Sequence, residues 1–143
     1  MNEYNHAAAV LIPRIFLGII LLFQGYDKVF NIGVKGVVNT IQSPFAGVKI
    51  GRFIPVCAAY FTSYTELICG LLILVGFVKS FALYLVGIDL LIVAFGFSLL
   101  NPIWDLRDVF PRLLLVVLLL LLPGEWDVIS VDYVLGLFAF AKQ

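Results

Sequence analysis

The sequence predicts an all-α polytopic membrane protein: a four-helix transmembrane bundle, with a short amphipathic helix between the first and second spans and a short C-terminal helix. Three observations predict it. First, 63% of the 143 residues are hydrophobic and only 13% are charged, with a mean hydropathy of +1.12. Soluble domains run at about 45–50% apolar and about 25% charged. Second, a chain this short keeps a large surface and cannot hide so much apolar side chain within itself. Third, the apolar residues fall in runs of the length that crosses about 30 Å of hydrocarbon.

The first span covers about residues 8–30, centred on the run from Ile15 to Phe23. Met1 to Ala9 carries no Lys or Arg, and Arg14 interrupts the run, so it reads as a retained helix and not as a cleaved leader. In the long connection that follows, Val34, Val37, Val38 and Ile41 recur at helical spacing, with Lys35, Asn39 and Gln42 facing elsewhere. That pattern predicts an interfacial or capping helix, ended by Ser43-Pro44. The second span (54–77) has Pro55 in its first turn, where proline is tolerated. Only Val78-Lys79 separates it from the third (80–100), which predicts a tight antiparallel hairpin. A polar connection with Trp104 leads to the fourth and shortest span (107–123), stopped by Pro123-Gly124. The apolar stretch 131–141 is too short to span and predicts a packed or interfacial helix. Residues 1–143 read as one domain, without repeats.

Lys28, Lys35, Lys49 and Arg52 crowd the first connection, and Arg107 and Arg112 the third. The positive-inside rule then places both connections in the cytoplasm and both termini outside it. Nine basic and nine acidic residues cancel, and no basic patch points to nucleic acid. Cys57 and Cys69, twelve residues apart on one helix, are separated by about 18 Å and cannot pair within the chain. Gly18, Gly25, Gly70, Gly76, Gly87 and Gly96 permit close helix approach, Gly70 above all.

Ionisable groups inside hydrocarbon are costly and turn inward toward partners. Arg14, Glu66, Asp89 and Arg112 are the candidates for a buried polar core, with Tyr64, Tyr60, Thr62 and Thr65 near Glu66 extending it. Glu66 and Asp89 fall near the midplane. Two readings stay open: a ligand or proton site, or Arg14–Glu66 and Arg112–Asp89 ion pairs that fasten helices together. At one membrane face Gln24, Asp27 and Lys28 share a helix side, and Asp105, Arg107 and Asp108 approach it. This cluster is either an interfacial network or a docking surface. Trp104 and Trp126 read as interface anchors. A lone histidine, His6, and no CxxC argue against intrinsic bis-histidine haem, paired zinc ligands, a Ser-His-Asp triad and thiol exchange, so no intrinsic cofactor is expected.

Several motifs are similar to those of the DoxX family of small membrane proteins. They are Arg14-Ile-Phe-Leu-Gly18 followed by Gly25-Tyr-Asp-Lys28-Val-Phe30, then Glu66-Leu-Ile-Cys-Gly70-Leu71 followed by Leu74-Val-Gly76, and more weakly Gly124 to Asp132. Cys69 stands where the family commonly has glycine, and the charge of Asn101 to Arg112 exceeds the family's pattern, suggesting a subgroup docking feature. The resemblance implies a four-helix bundle of the bacterial inner membrane, with Arg14, Lys28 and Glu66 as shared polar positions. It also implies links to thiosulfate:quinone oxidoreductase, terminal quinol oxidase and redox-stress complexes. The expected role is therefore an accessory, non-catalytic subunit of a quinone- or sulfur-linked membrane redox complex, with membrane lipids and other subunits as partners and a quinone or lipid as ligand. A small transporter or proton pathway through the buried carboxylates, and a scaffold docking through residues 101–112, are the alternatives.

Overall fold

The computed structural model describes residues 3–42, 51, 53–100 and 109–136. Among these residues six α-helices follow one another: α1 (Glu3–Tyr26), α2 (Val34–Gln42), α3 (Phe53–Val75), α4 (Lys79–Leu100), α5 (Phe110–Leu121) and α6 (Val131–Val134). A π-helical turn, Asp27–Asn31, extends α1, and a 3₁₀ turn, Gly124–Trp126, follows α5. No strand occurs among the described residues. The helices α1, α3, α4 and α5 close a ring in that order, because α1 packs on both α3 and α5, and α4 on both α3 and α5. The fold is the expected all-α membrane bundle.

Among the described residues, three helices are long and apolar enough to cross a membrane: α1 with its π turn, α3, and α4. At about 1.5 Å per residue the 23-residue α3 reaches about 34 Å. The 12-residue α5 reaches only about 18 Å, less than the hydrocarbon thickness. Its expected start near residue 107 lies outside the described residues, and Leu122 is already extended. Of the helix anticipated over 131–141, the described part forms a single turn, α6, followed by Gly136 at φ +68°, and residues 137–141 lie outside the described residues.

Each helix buries one stripe. On α1 it is Val10, Arg14, Leu17, Leu21 and Gly25, and on α4 Ala82, Leu83, Val86, Asp89 and Leu90. The opposite faces present Ile12, Phe16 and Phe23, Tyr84, Leu91 and Phe95, and Leu114 and Leu121 outward. So much exposed apolar side chain on every spanning helix requires acyl chains around it. On α2, Val37 is buried, Val34, Val38 and Ile41 are half-buried, and Lys35 and Asn39 are exposed, as the spacing predicts; α2 lies on α3.

The tightest crossing joins α1 and α3. A Cβ on Gly70 would stand 2.5 Å from the backbone nitrogen of Leu22, and one on Gly18 2.9 Å from Leu74 Cα. On Gly25 it would overlap the backbone of Leu67. Gly18 to Gly25 advances seven residues along α1 while Leu74 to Leu67 retreats seven along α3. The helices are therefore antiparallel, with bare backbone against bare backbone. Gly76 ends α3 at φ +72° in a Schellman motif: Phe77 N–H donates to the Leu72 carbonyl at 2.9 Å and Gly76 N–H to Ile73 at 3.1 Å.

Gly25→Ala and Gly70→Ala should each destabilise the bundle by about 1–3 kcal/mol through overpacking. Gly96→Ala, where a Cβ meets nothing within 4 Å, should be neutral or stabilising by up to about 1 kcal/mol. Thermal unfolding in mild detergent, followed by circular dichroism, checks the contrast.

Candidate functional site

The α1–α3 register builds two charge centres at different depths of the bundle. At the end holding the chain termini, Arg14 on α1 reaches the α3–α4 turn and the segment after α5. Its Nε faces Asp127 Oδ1 across 3.4 Å, and its Nη2 donates to the carbonyl of Ile129. Lys79 Nζ donates to Asp127 Oδ2 at 2.8 Å. Arg14, Lys79 and Asp127 are all buried. One carboxylate thus holds two cations in a site closed to water.

A second carboxylate completes this end. Asp132 accepts from Val78 N–H at 2.7 Å and Lys79 N–H at 2.8 Å, capping α4, while its own N–H donates to the Gly76 carbonyl at 2.9 Å. Val78 sits at φ +46°, a conformation unfavourable for a β-branched residue, and this cap holds it there. Ser130 accepts from Tyr133 N–H and starts α6. A Cβ on Gly76 would overlap the Arg14 guanidinium, so glycine serves here both for its dihedral and for space. His6 stacks on Trp126 with ring centroids 4.1 Å apart, closing the same end.

The second centre lies deeper, toward the first and third connections. The π turn after α1, closed by Ile32 N–H donating to the Asp27 carbonyl at 2.9 Å, carries Lys28 to Glu66 on α3. Lys28 Nζ and Glu66 Oε2 are 2.5 Å apart, with Glu66 buried and Lys28 half-buried. Asp89, eleventh residue of α4 and fully buried, has no hydrogen-bond partner on either carboxyl oxygen. Glu66, Lys28 and half-buried Arg112 are the charges that act on it. Gln24, one turn before Lys28, holds a buried Oε1 that is also without a donor. Cys69 is buried and, like the exposed Cys57, is a free thiol.

Some anticipated partners differ. Arg14 pairs with Asp127 and not Glu66, and no Arg112–Asp89 ion pair forms. Tyr64 is not in the interior: it is 44% exposed and stacks with Tyr60 on the outer face of α3, because it stands two positions, about 200° of helix, from Glu66. The buried hydroxyls of Thr62 and Ser63 donate to the Ala59 carbonyl of their own helix. Asp27 is exposed and accepts from Asn31 at 2.8 Å. Asp105, Arg107 and Asp108 lie outside the described residues, as does Trp104. Lys79, Asp127 and Asp132 were missed as site residues. The readable signal was the two-residue connection before Lys79, which leaves a helix N-terminus in need of a cap, and the Asp-x-x-Ser-x-Asp spacing that supplies it.

The DoxX family model matches residues 9–99, more than half of the chain. The protein belongs to the DoxX family. No curated protein and no solved structure matches it. The part matched to DoxX contains Arg14, Lys28, Glu66, Lys79 and Asp89, and ends before Arg112, Asp127 and Asp132. In this DoxX protein the Arg14–Asp127–Lys79 cluster is therefore completed by a residue beyond the matched segment, whereas the Lys28–Glu66 pair lies within it. Among the described residues no group of His, Cys, Asp and Glu could hold a metal ion.

The two carboxylates of the deeper centre should respond oppositely to an apolar isostere. Asp89→Leu removes a buried acceptor pair without a donor and should raise the unfolding temperature, whereas Glu66→Leu strands Lys28 and should lower it. At the terminal end, Arg14→Ala should cost about 3–5 kcal/mol, as breaking a buried pair does. A double-mutant cycle with Asp127→Ala should give a coupling above about 1 kcal/mol in denaturant unfolding.

Proposed function

We propose that this DoxX protein is an accessory subunit of a quinone- or sulfur-linked redox complex in a bacterial inner membrane, and that the Asp89 centre receives the polar head of a lipophilic partner. The observation that carries the reading is Asp89 itself: a fully buried carboxylate at mid-membrane depth, with neither oxygen hydrogen-bonded. A purely structural carboxylate in hydrocarbon is expected to be paired, since an unsatisfied polar group there costs several kcal/mol. Such a group with a partner of its own sign balance elsewhere in the chain, and none in contact, suits a ligand that arrives from the bilayer.

Lys28 and Arg112, the cations that act on Asp89, would donate to the oxygens of a quinone-type head group. A bound quinone would supply two-electron, two-proton chemistry. The chain's own groups would orient its oxygens, hold or pass a proton at Asp89, and keep water out through the apolar packing of Leu90, Val86 and Val116. The Lys and Arg bias supports cytoplasmic first and third connections, with both termini on the other side.

A proton pathway is the second reading. It is favoured by Glu66 acting electrostatically on Asp89, which would let a proton be passed between two mid-membrane carboxyls. The scaffold reading rests on residues 101–112, most of which lie outside the described residues.

Extraction in gentle detergent, followed by mass spectrometry of co-purifying proteins and lipophilic molecules, should recover a redox subunit together with a quinone. Deletion should lower quinone- or sulfur-dependent respiration. A lone bundle free of lipophilic ligand, with respiration unchanged on deletion, counts against the proposal.

A further inference from the structure

Where α1 meets α5, the outward surface holds a groove of about 510 Å³, within the range of about 300–1,000 Å³ usual for ligand sites. On α1 its lining recurs at Asn5, Ala9, Ile12 and Phe16, a spacing that keeps to one helix face. Leu115 and Leu118 of α5 form the other wall. The local sequence opens this space. Ala8 and Ala9 leave room that a larger side chain would take, and Pro13, inside the helix, has no N–H for the Ala9 carbonyl and crowds it with its ring.

From Asn5 to Phe16 the groove follows α1 for about 16 Å at about 1.5 Å per residue. That is the depth of one leaflet, half of a hydrocarbon core about 30 Å thick. Asn5 stands at its outer end, between Tyr4 and His6, and the rest of the lining is apolar. His6 stacks on Trp126, and aromatic residues of this kind sit at head-group level.

An empty groove would cost its lining the dispersion contacts on one side. Water needs about 2–4 polar partners and finds only Asn5. A neighbouring helix, about 10–12 Å across, has a cross-section of about 80 Å² or more. Spread over its length of about 16 Å, the groove offers a cross-section of about 30 Å², which admits one unbranched chain and no helix. Lipid tails are as apolar as leucine, so a tail gains little by leaving the bilayer for the groove, and the choice among lipids falls to the head group. Among the described residues no lysine or arginine is exposed at this end, because Arg14 and Lys79 are buried on Asp127, whereas Glu3 and Glu125 are exposed. That field disfavours an anionic head group. We infer that the α1–α5 groove holds one phospholipid, with an acyl chain along Ala9, Ile12 and Phe16 and a zwitterionic, ammonium-bearing head group beside Asn5. The lipid completes the wall between α1 and α5 in the leaflet on the terminal side. The site shares no residue with the Asp89 centre, so its failure leaves the redox reading untouched.

The test uses the full chain, stripped of lipid in mild detergent and offered equimolar dioleoyl phosphatidylethanolamine and dioleoyl phosphatidylglycerol. Native mass spectrometry counts the phospholipids that survive collisional removal of the detergent, and circular dichroism checks the fold of each variant. The wild type should retain one phospholipid per chain, the ethanolamine form at least about threefold over the glycerol form, the scale of an exposed charge interaction. Ala9→Phe fills the groove from α1 and should abolish the retained lipid. Leu118→Phe fills it from α5 and should do the same, which decides the matter should Ala9→Phe fail to fold. Leu91→Phe, on the outward face of α4, should leave the lipid in place. Glu3→Lys should bring the ratio of the two head groups to one or below. No retained lipid in the wild type, or equal retention in Ala9→Phe, Leu118→Phe and wild type, overturns the site. A wild-type dimer that Ala9→Phe dissociates puts a second copy in the groove and also overturns it. Retention of the glycerol form equal to or above the ethanolamine form, or a ratio unmoved by Glu3→Lys, overturns the head-group assignment.

Discussion

The close contact of α1 with α3 is the constraint from which the rest of the bundle follows. Lipid tails are as apolar as leucine, so helices inside a membrane gain little from hiding apolar surface from one another and rely on packing at short range. Gly25 against Leu67, Gly70 against Leu22 and Gly18 against Leu74 supply that packing, and they also fix a register. With that register set, Lys28 falls beside Glu66 and Arg14 falls beside the α3–α4 turn. A shift of one residue would rotate each helix by about 100°. It would carry Arg14 or Glu66 toward lipid, so the glycines and the charges specify the same arrangement.

The two charge centres built on this register have different character. At the terminal end the buried charges are paired, Asp127 by Arg14 and Lys79, Asp132 by the N-terminus of α4, and Arg14 further by the Ile129 carbonyl, although Arg14 Nη1 has no hydrogen-bond partner. The segment after α5 behaves as a plug that fills the mouth between α1 and the α3–α4 turn. It explains why α3 and α4 can be joined by so short a strained connection: the strain at Val78 and the free amides of α4 are met by one side chain, Asp132. The deeper centre is unlike this. Its Lys28–Glu66 pair is complete, while Asp89 stands beside it with no donor.

The fold was legible in the sequence because it depends on run lengths and spacing, which the chain displays directly. The span 8–30 appears as α1 with its π turn, 54–77 as α3 and 80–100 as α4, and the stripe Val34, Val37, Val38, Ile41 lies against the bundle as predicted. The buried positions Arg14, Glu66 and Asp89 were legible for the same reason, since a charge within an apolar run has nowhere else to go. The partners were not legible. Depth along a span puts Glu66 near the midplane and Arg14 nearer the terminal side without excluding a contact, but the glycine register sets Glu66 opposite Tyr26, twelve residues or about 18 Å from Arg14. Tyr64 was drawn to Glu66 by proximity in sequence, although two residues of helix separate opposite faces. The Asp-x-x-Ser-x-Asp spacing marks a cap, but nothing local reveals that the chain folds back past Trp126 to bring Asp127 to Arg14.

Burial and pairing together distinguish what the two centres are for. A buried ion pair is a weak contributor to stability in itself, but removing one partner is costly, so a closed cluster such as Arg14–Asp127–Lys79 is explained by assembly: it selects one docking of the tail. Asp89 has no such explanation. Its carboxyl group displaces apolar packing that Leu83, Val86 and Leu90 on the same stripe provide at no electrostatic cost. It also supplies no hydrogen bond that holds one helix to another. A group that lowers stability and fastens nothing is not explained by assembly. Glu66, already paired with Lys28, gives Asp89 no hydrogen bond, so the two carboxyl groups of the deeper centre differ in kind: one is held by an ion pair, the other only by the packing around it.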